Sequence, residues 1–304
     1  MVWDKKYRKV IRKVISVVVP SRSWRHSINS VLDFNGTLRE RRKIARQMRR
    51  IDKEFGDKCK NFLSVLAIVK DESAYLAEWL EYYSLLGVDK IYIYDNESSD
   101  SSMEILKPYI DSGFVEYLYW PGERQQLPAY QHCIDTHKFD TKWLAVVDLD
   151  EFILPIRDGN IADYLKKLPK SVGQVATPWL YFGSNGHVDK PDGLVIQNYT
   201  KSATKVWNRK SIINPRLIFS AFVHVGDCAT KTIYPKINQI RTNHYYCKSW
   251  AEYQRRKSRG DVLRGMDFAA QTFHKDDFQK FDFNDVDDTA ILKYVPELTK
   301  KLRK

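Results

Sequence analysis

Apolar and polar positions along this chain change rhythm at Asn61. Before it, apolar residues recur at helical spacing among basic ones. After it, short apolar runs alternate with amphipathic stretches. Residues 62–69 read as a strand buried on both faces, and Lys70-Asp71-Glu72-Ser73 as its loop, with Asp71 or Ser73 a good N-cap. Leu76, Trp79, Leu80 and Tyr83 then share one face of a helix that stops at Gly87. The pattern goes on to predict a strand at 90–94, a polar loop at 95–100, a helix around Met103, Leu106 and Ile110, a strand at 114–120, a helix at 127–138 and a strand at 143–147. Beyond Pro155 the order weakens. A helix at 161–168, strands at 172–182, 217–225 and 232–241, a Gly-rich turn at 183–187 and a basic helix at 249–259 are expected. Strands alternating with short helices predict an α/β fold, a mixed and mostly parallel sheet with helices on both faces.

Charge divides the chain. The formal net charge is +12, yet residues 1–60 hold 18 Lys/Arg against 6 Asp/Glu and the remainder is balanced at 32 against 32. Val10, Ile11, Val14, Ile15 and Val18 lie at helical spacing among Lys5, Lys6, Arg8, Lys9, Arg12 and Lys13, a basic amphipathic helix suited to an anionic membrane surface or simply to solvent. Its apolar run ends at Pro20, short of a membrane span and of a secretory signal. A second basic stretch, 39–51, predicts an exposed helix with no groove-reading motif beside it, so no nucleic acid is expected. Cys59, Cys133, Cys228 and Cys247 are widely spaced and imply neither zinc nor a disulfide framework. The expected organisation is a basic helical extension at 1–58, a main domain at 59–260 and a helical or irregular extension at 261–304. The expected setting is cytoplasmic, peripheral on the inner face of a membrane.

The chemistry concentrates where strands end. Asp148-Leu149-Asp150-Glu151 follows the apolar run Trp143-Leu144-Ala145-Val146-Val147. In extended chain Asp148 and Asp150 face the same way and can converge on one cation; as hard oxygen ligands they suit Mg2+ or Mn2+, and those ions suit a phosphate-bearing substrate. Helix capping is the alternative use for such acids. Residues 70–72, 95–98 and 148–151 all fall beyond carboxyl ends of strands, where sheets of this class bind ligands, which favours a nucleotide site.

These pieces also carry a resemblance. Val69-Lys70-Asp71-Glu72 with Glu78-Trp79 and Tyr82-Tyr83, Ile93-Tyr94-Asp95-Asn96-Glu97-Ser98-Ser99-Asp100, Asp148-Leu149-Asp150-Glu151-Phe152, Phe182-Gly183-Ser184-Asn185-Gly186-His187, Lys210 with Pro215, His224, and Asn243-His244-Tyr245 with Lys248-Ser249 resemble glycosyltransferases of the GT-A fold, most closely family 92 and bacterial family-2-like relatives. The resemblance covers roughly residues 60–260. It implies a nucleotide-sugar donor such as a UDP-sugar, held by Lys70, Glu72, Asp95, Asn96, Ser98, Asp148 and Lys210, with Lys210 on the diphosphate. It implies Mn2+ or Mg2+ on Asp148, Asp150 and a distant histidine, His244 with His224 as rival. It implies inverting transfer to a glycan or lipid-linked acceptor of cell-surface polysaccharide synthesis. That step needs a general base; Glu151, His187, Asp189 and Asp227 are candidates, and the Gly-rich turn favours His187 or Asp189. The competing class is a basic nucleic-acid- or anionic-membrane-binding module whose acids serve only as caps.

Overall fold

The computed structural model describes residues 38–258 and 275–303; the basic amphipathic helix expected at 5–19 lies outside them. Helix α1 (Leu38–Phe55) is the second basic stretch and buries no residue fully. Charge fastens it to the domain. Asp52 Oδ1 accepts from Arg216 Nε at 2.9 Å and Asn214 Nδ2 at 2.7 Å, and Arg41 Nη2 meets Asp227 Oδ1 at 2.7 Å.

Strand β1 (Asn61–Val69), α2 (Ser73–Leu85), β2 (Lys90–Asp95), α3 (Ser102–Asp111), β3 (Val115–Tyr119), α4 (Gln126–His137) and β4 (Thr141–Val146) alternate as the hydrophobic pattern predicts. β1 pairs with β2 and β4, and β2 with β3, all parallel. Parallel strands joined through helices end on the same side, so their loops gather on one rim. From Leu63 onward β1 is wholly buried. Its Leu63, Val65, Ala67 and Val69 pack with Leu76, Trp79, Leu80 and Tyr83 of α2, while Leu66 and Ile68 pack with Ala129, Tyr130 and Cys133 of α4. Gly87 ends the turn after α2 at φ +77°, a backbone conformation that favours glycine.

After β4 the chain crosses to the far edge of the sheet. There follow β5 (Glu151–Pro155), α5 (Ile161–Lys166), β6 (Val172–Tyr181), α6 (Val195–Asn198), β7 (Lys201–Ser202), β8 (Asn208–Ile213), a 3-10 turn (Pro215–Leu217), β9 (Ile218–Ser220), β10 (Asp227–Cys228), β11 (Lys231–Ile233), β12 (Ile240–His244) and α7 (Trp250–Ser258). Helix α8 (Lys275–Phe281), β13 (Val286–Asp287), a second 3-10 turn (Ala290–Tyr294) and α9 (Val295–Leu302) complete the described chain. The main sheet runs β3-β2-β1-β4-β8-β6-β12-β5, with β11 also beside β6. β8 is antiparallel to β4 and β6, β5 is antiparallel to β12, and β12 and β11 are parallel to β6. The sheet is mixed and mostly parallel, as expected.

The structure adds detail to the hydrophobic pattern at four places. Two strands have no apolar signature at their starts: β5 opens on Glu151, and β8 opens on Asn208-Arg209-Lys210 yet is buried from Lys210 on. The strand expected at 217–225 is a 3-10 turn and the short β9, which leaves His224 in the irregular segment before β10. The strand expected at 232–241 is two, β11 and β12, parted by a loop containing Pro235, which has no amide to give a ladder. The segment from 275 also packs into the domain: Ile291 and Leu298 join the main core, Arg241 Nη2 meets Asp288 Oδ1 at 2.6 Å, and Lys301 Nζ meets Glu81 Oε2 at 2.8 Å. Among the described residues, no helix is long and apolar enough to cross a membrane.

Candidate active site at the strand rim

The loops after β1 and β2 are laced together. Asp71 N donates to Ser98 Oγ at 3.0 Å, Ser99 N to Asp71 Oδ1 at 2.7 Å, and Ser73 N to Asp100 Oδ2 at 2.8 Å. Asp71 and Glu97 hold positive φ, 50° and 62°, within these turns. Asp95 accepts from Ser98 N at 2.9 Å and from Tyr117 OH of β3 at 2.8 Å, which fixes its carboxylate at the floor of the rim. Glu72 is buried on the first loop, and Lys70 is half-buried. Asn96 is buried at the same rim. Its amide nitrogen donates to the carbonyls of Trp120 and Gly122, at 2.9 and 2.8 Å, so it ties the β3 loop to the rim.

The aromatic face of α2 holds the turn that carries the acids. Trp79 Nε1 donates to the carbonyls of Asp148 and Glu151 at 3.1 and 3.2 Å, and Tyr83 OH donates to Glu151 O and accepts from Ile153 N, both at 3.1 Å. An irregular buried turn leaves backbone groups without ladder partners, and the polar tips of buried aromatics supply them. Below the turn lies a charge cluster. Lys210 Nζ of β8, fully buried, sits 2.8 Å from Asp148 Oδ2 and 3.2 Å from Glu151 Oε2, and Asp148 Oδ1 accepts from Tyr130 OH at 3.0 Å and Gln126 Nε2 at 3.2 Å. Burial opposes the Asp148 charge, but Lys210 outweighs it and holds the carboxyl below its ordinary range. Burial drives the Glu151 carboxyl well above its range against the same lysine. Lys210 thus meets two protein carboxyl groups from the interior, where the resemblance had it on a diphosphate, and Glu151, one of the base candidates, faces inward with no exposure.

Asp150 meets His244. The end of β12 brings His244 Nε2 to 3.3 Å from Asp150 Oδ2, and Arg256 Nη1 of α7 comes to 3.1 Å of the same oxygen. Burial disfavours charge on Asp150, yet Arg256 and then His244 hold its carboxyl well below the usual range. Burial also lowers the His244 pKa against the pull of Asp150, which leaves a neutral imidazole, the form that ligates metals. Trp179 stacks on that imidazole with centroids 4.3 Å apart, while His224 is tilted against Trp179 at 5.2 Å. Among the described residues no three His, Cys, Asp or Glu side chains form a metal-holding group. A carboxylate and a neutral imidazole converging on one point nevertheless fit Mg2+ or Mn2+, ions that take one or two protein ligands and fill the remaining positions with water and substrate phosphate.

Two cations that the sequence reading did not assign complete this end of the cleft. Lys248, at φ +51° between β12 and α7, is buried with its Nζ 4.1 Å from the Tyr75 ring; burial depresses its pKa while Glu72 and Asp150 pull it back. The Arg256 guanidinium carbon lies 4.2 Å from the centre of the Tyr246 ring. The sequence signals were present: Lys248 lies just past the histidine motif, and Arg256 lies in the predicted basic helix. The remaining base candidates are scattered. His187 sits in the turn after β6 with its ring edge-on to Tyr199 at 5.7 Å, Asp189 is exposed beyond it, and Asp227 is paired with Arg41 on the α1 side. In that turn Gly183 is required, because a Cβ there would lie 2.3 Å from Phe283 O.

A sequence profile described as glycosyltransferase family 92 matches residues 60–292, more than half of the chain. A family 92 protein of Oryza sativa subsp. japonica is 26% identical over 200 residues, covering 63% of this chain and 34% of that protein. The beta-1,4-galactosyltransferase galt-1 of Caenorhabditis elegans is 24% identical over 212 residues, covering 62% of this chain and 49% of its own length. The chain thus spans about a third of the plant protein and about half of the nematode one. Among solved structures, S. aureus TarS 1-349 is similar with a TM-score of 0.35 and 12% identity, over 70% of this chain and 69% of that one. The profile match, over the same residues that build the rim, establishes that this chain belongs to glycosyltransferase family 92.

Proposed function

We propose that the chain transfers a sugar, with inversion, from a nucleotide-sugar donor to a hydroxyl of a glycan or lipid-linked glycan in cell-surface polysaccharide synthesis. The observation that carries this reading is the meeting of Asp150 and His244, with Asp148 on the same turn, at the end of the sheet where buried Asp95 and Glu72 also lie. Asp95 and Glu72 would orient the nucleoside, and Asp148, locked by Lys210, Tyr130 and Gln126, would present its remaining surface to ribose and metal. Asp150 and His244 would hold Mn2+ or Mg2+, and that ion, when bound, neutralises charge on the departing diphosphate. Lys248 and Arg256 would add positive charge on the same side. His187 or Asp189 would accept the acceptor's proton, since the turn that holds them is tied to α7 through the bond from Trp250 N to His187 O at 3.3 Å.

The test uses a panel of uridine diphosphate sugars, galactose first in view of the nematode relative's name, with the full chain and Mn2+. Donor and metal together should raise the melting temperature, because a ligand that binds only the folded state stabilises it. Asp150→Asn and His244→Ala should abolish the metal-dependent part of that shift and lower transfer by about a hundredfold or more. A wild-type rate in Asp150→Asn would rule the reading out.

A further inference from the structure

A cavity of about 770 Å³ opens at the end of the sheet opposite the acidic rim. Its floor comes from the starts of β1, β4 and β6, through Phe62, Trp143 and Val172, joined by Leu165, Leu168 and Leu217. β1 is nine residues long, so at about 3.3 Å per residue this floor lies about 25 Å from Val69 and the rim. Six basic residues, Arg49, Lys53, Lys142, Lys166, Lys170 and Lys231, stand around it with two acids, Asp52 and Asp57. Both acids are engaged. Asp52 holds Arg216 and Asn214, and Asp57 holds Lys142 at 2.6 Å and Lys170 at 3.4 Å. Lys53 and Lys231 are exposed and have no ion-pair partner among the described residues, while Arg49 spends one donor on the Ala229 carbonyl at 2.9 Å.

An apolar floor under cations in excess complements an anionic amphiphile. We propose that this cavity binds an acidic membrane lipid, its headgroup on Arg49, Lys53 and Lys231 and an acyl chain over Phe62, Trp143 and Leu168. The protein thereby attaches to an anionic bilayer through the face opposite its donor rim. Residues 1–37 of the chain are ill matched to the cavity, since eight Lys/Arg against two Asp/Glu bring like charge to like.

The full chain is titrated with dihexanoyl phosphatidylglycerol below its micelle concentration, and in parallel with dihexanoyl phosphatidylcholine and with inorganic phosphate. The acidic lipid should raise the melting temperature and the other two should not. Lys53→Glu with Lys231→Glu should weaken its affinity by about tenfold or more. Lys43→Glu with Arg46→Glu, an equal charge change at exposed positions of α1 outside the cavity, should change it by less than about twofold. Leu168→Trp, which fills the apolar floor, should weaken lipid binding in a protein that melts as wild type does. Equal stabilisation by phosphate would make this an anion site and overturn the proposal. Equal weakening by the two charge-reversed pairs would reduce the interaction to diffuse charge and overturn it as well.

Discussion

Lys210 shows how a charged residue can be held inside the acidic rim. Its ammonium is fully buried between Asp148 and Glu151, and both carboxylates raise its pKa against the cost of burial. Removing one partner of such a cluster leaves buried charge uncompensated. Lys210→Met should therefore cost about 3–5 kcal/mol in urea unfolding, and adding Glu151→Gln should recover part of that loss. His244 gives a pH signature. Burial keeps its folded pKa below the ordinary 6.5, so as pH falls through that value the unfolded state takes up a proton that the folded state refuses. Stability should fall with pH in that window, and His244→Gln should flatten the slope. Asp150 acts in a lower window: its depressed pKa stabilises the fold above the ordinary aspartate range, and that contribution is lost as pH falls through the lowered value. The acid limb of donor binding should accordingly lie below the pKa of a free histidine, measured as metal-dependent thermal shift against pH.

Helix α2 connects sequence motif to site geometry. Its buried aromatic face does more than fill the core, because Trp79, Tyr82 and Tyr83 donate to the carbonyls of Asp148, Glu151 and Ile153. Tyr83→Phe keeps the ring and deletes the hydroxyl that bridges Glu151 O and Ile153 N. It should cost about 1–3 kcal/mol by leaving buried backbone groups unpaired, and it should lower transfer more than nucleoside binding, because the turn moves while Asp95 stays fixed by Tyr117 and Ser98. Hydrophobic spacing placed α2 and its buried face correctly. It gave no hint of these bonds, which join residues 68 to 72 positions apart in the chain.

At the scale of the molecule, one core runs from β1 to α9. Ile291 and Leu298, about thirty to forty residues beyond the expected end of the main domain, are buried in it, and Arg241 of β12 is held by Asp288. A chain ending at residue 260 should lose about 1.5–3 kcal/mol for each of those two side chains and should melt well below the full chain in calorimetry. The parallel half of the sheet was legible in the sequence because each of its strands is an apolar run answered by a helix with one apolar face, and both signals are local. The acids at its strand ends were legible for the same reason: Asp95 and Asp148 follow runs that can only be buried strands. The antiparallel half was not. β5 and β8 begin on charged or polar residues whose burial depends on partners elsewhere, so the inward pairing of Lys210 with Asp148 and Glu151 has no local signal. The meeting of His244 with Asp150 and the arrival of Arg256 and Lys248 on the same side likewise follow from where β12 joins the sheet, between β6 and β5. Local spacing decides which segments form strands and helices, whereas the pairing of distant strands decides which charges meet.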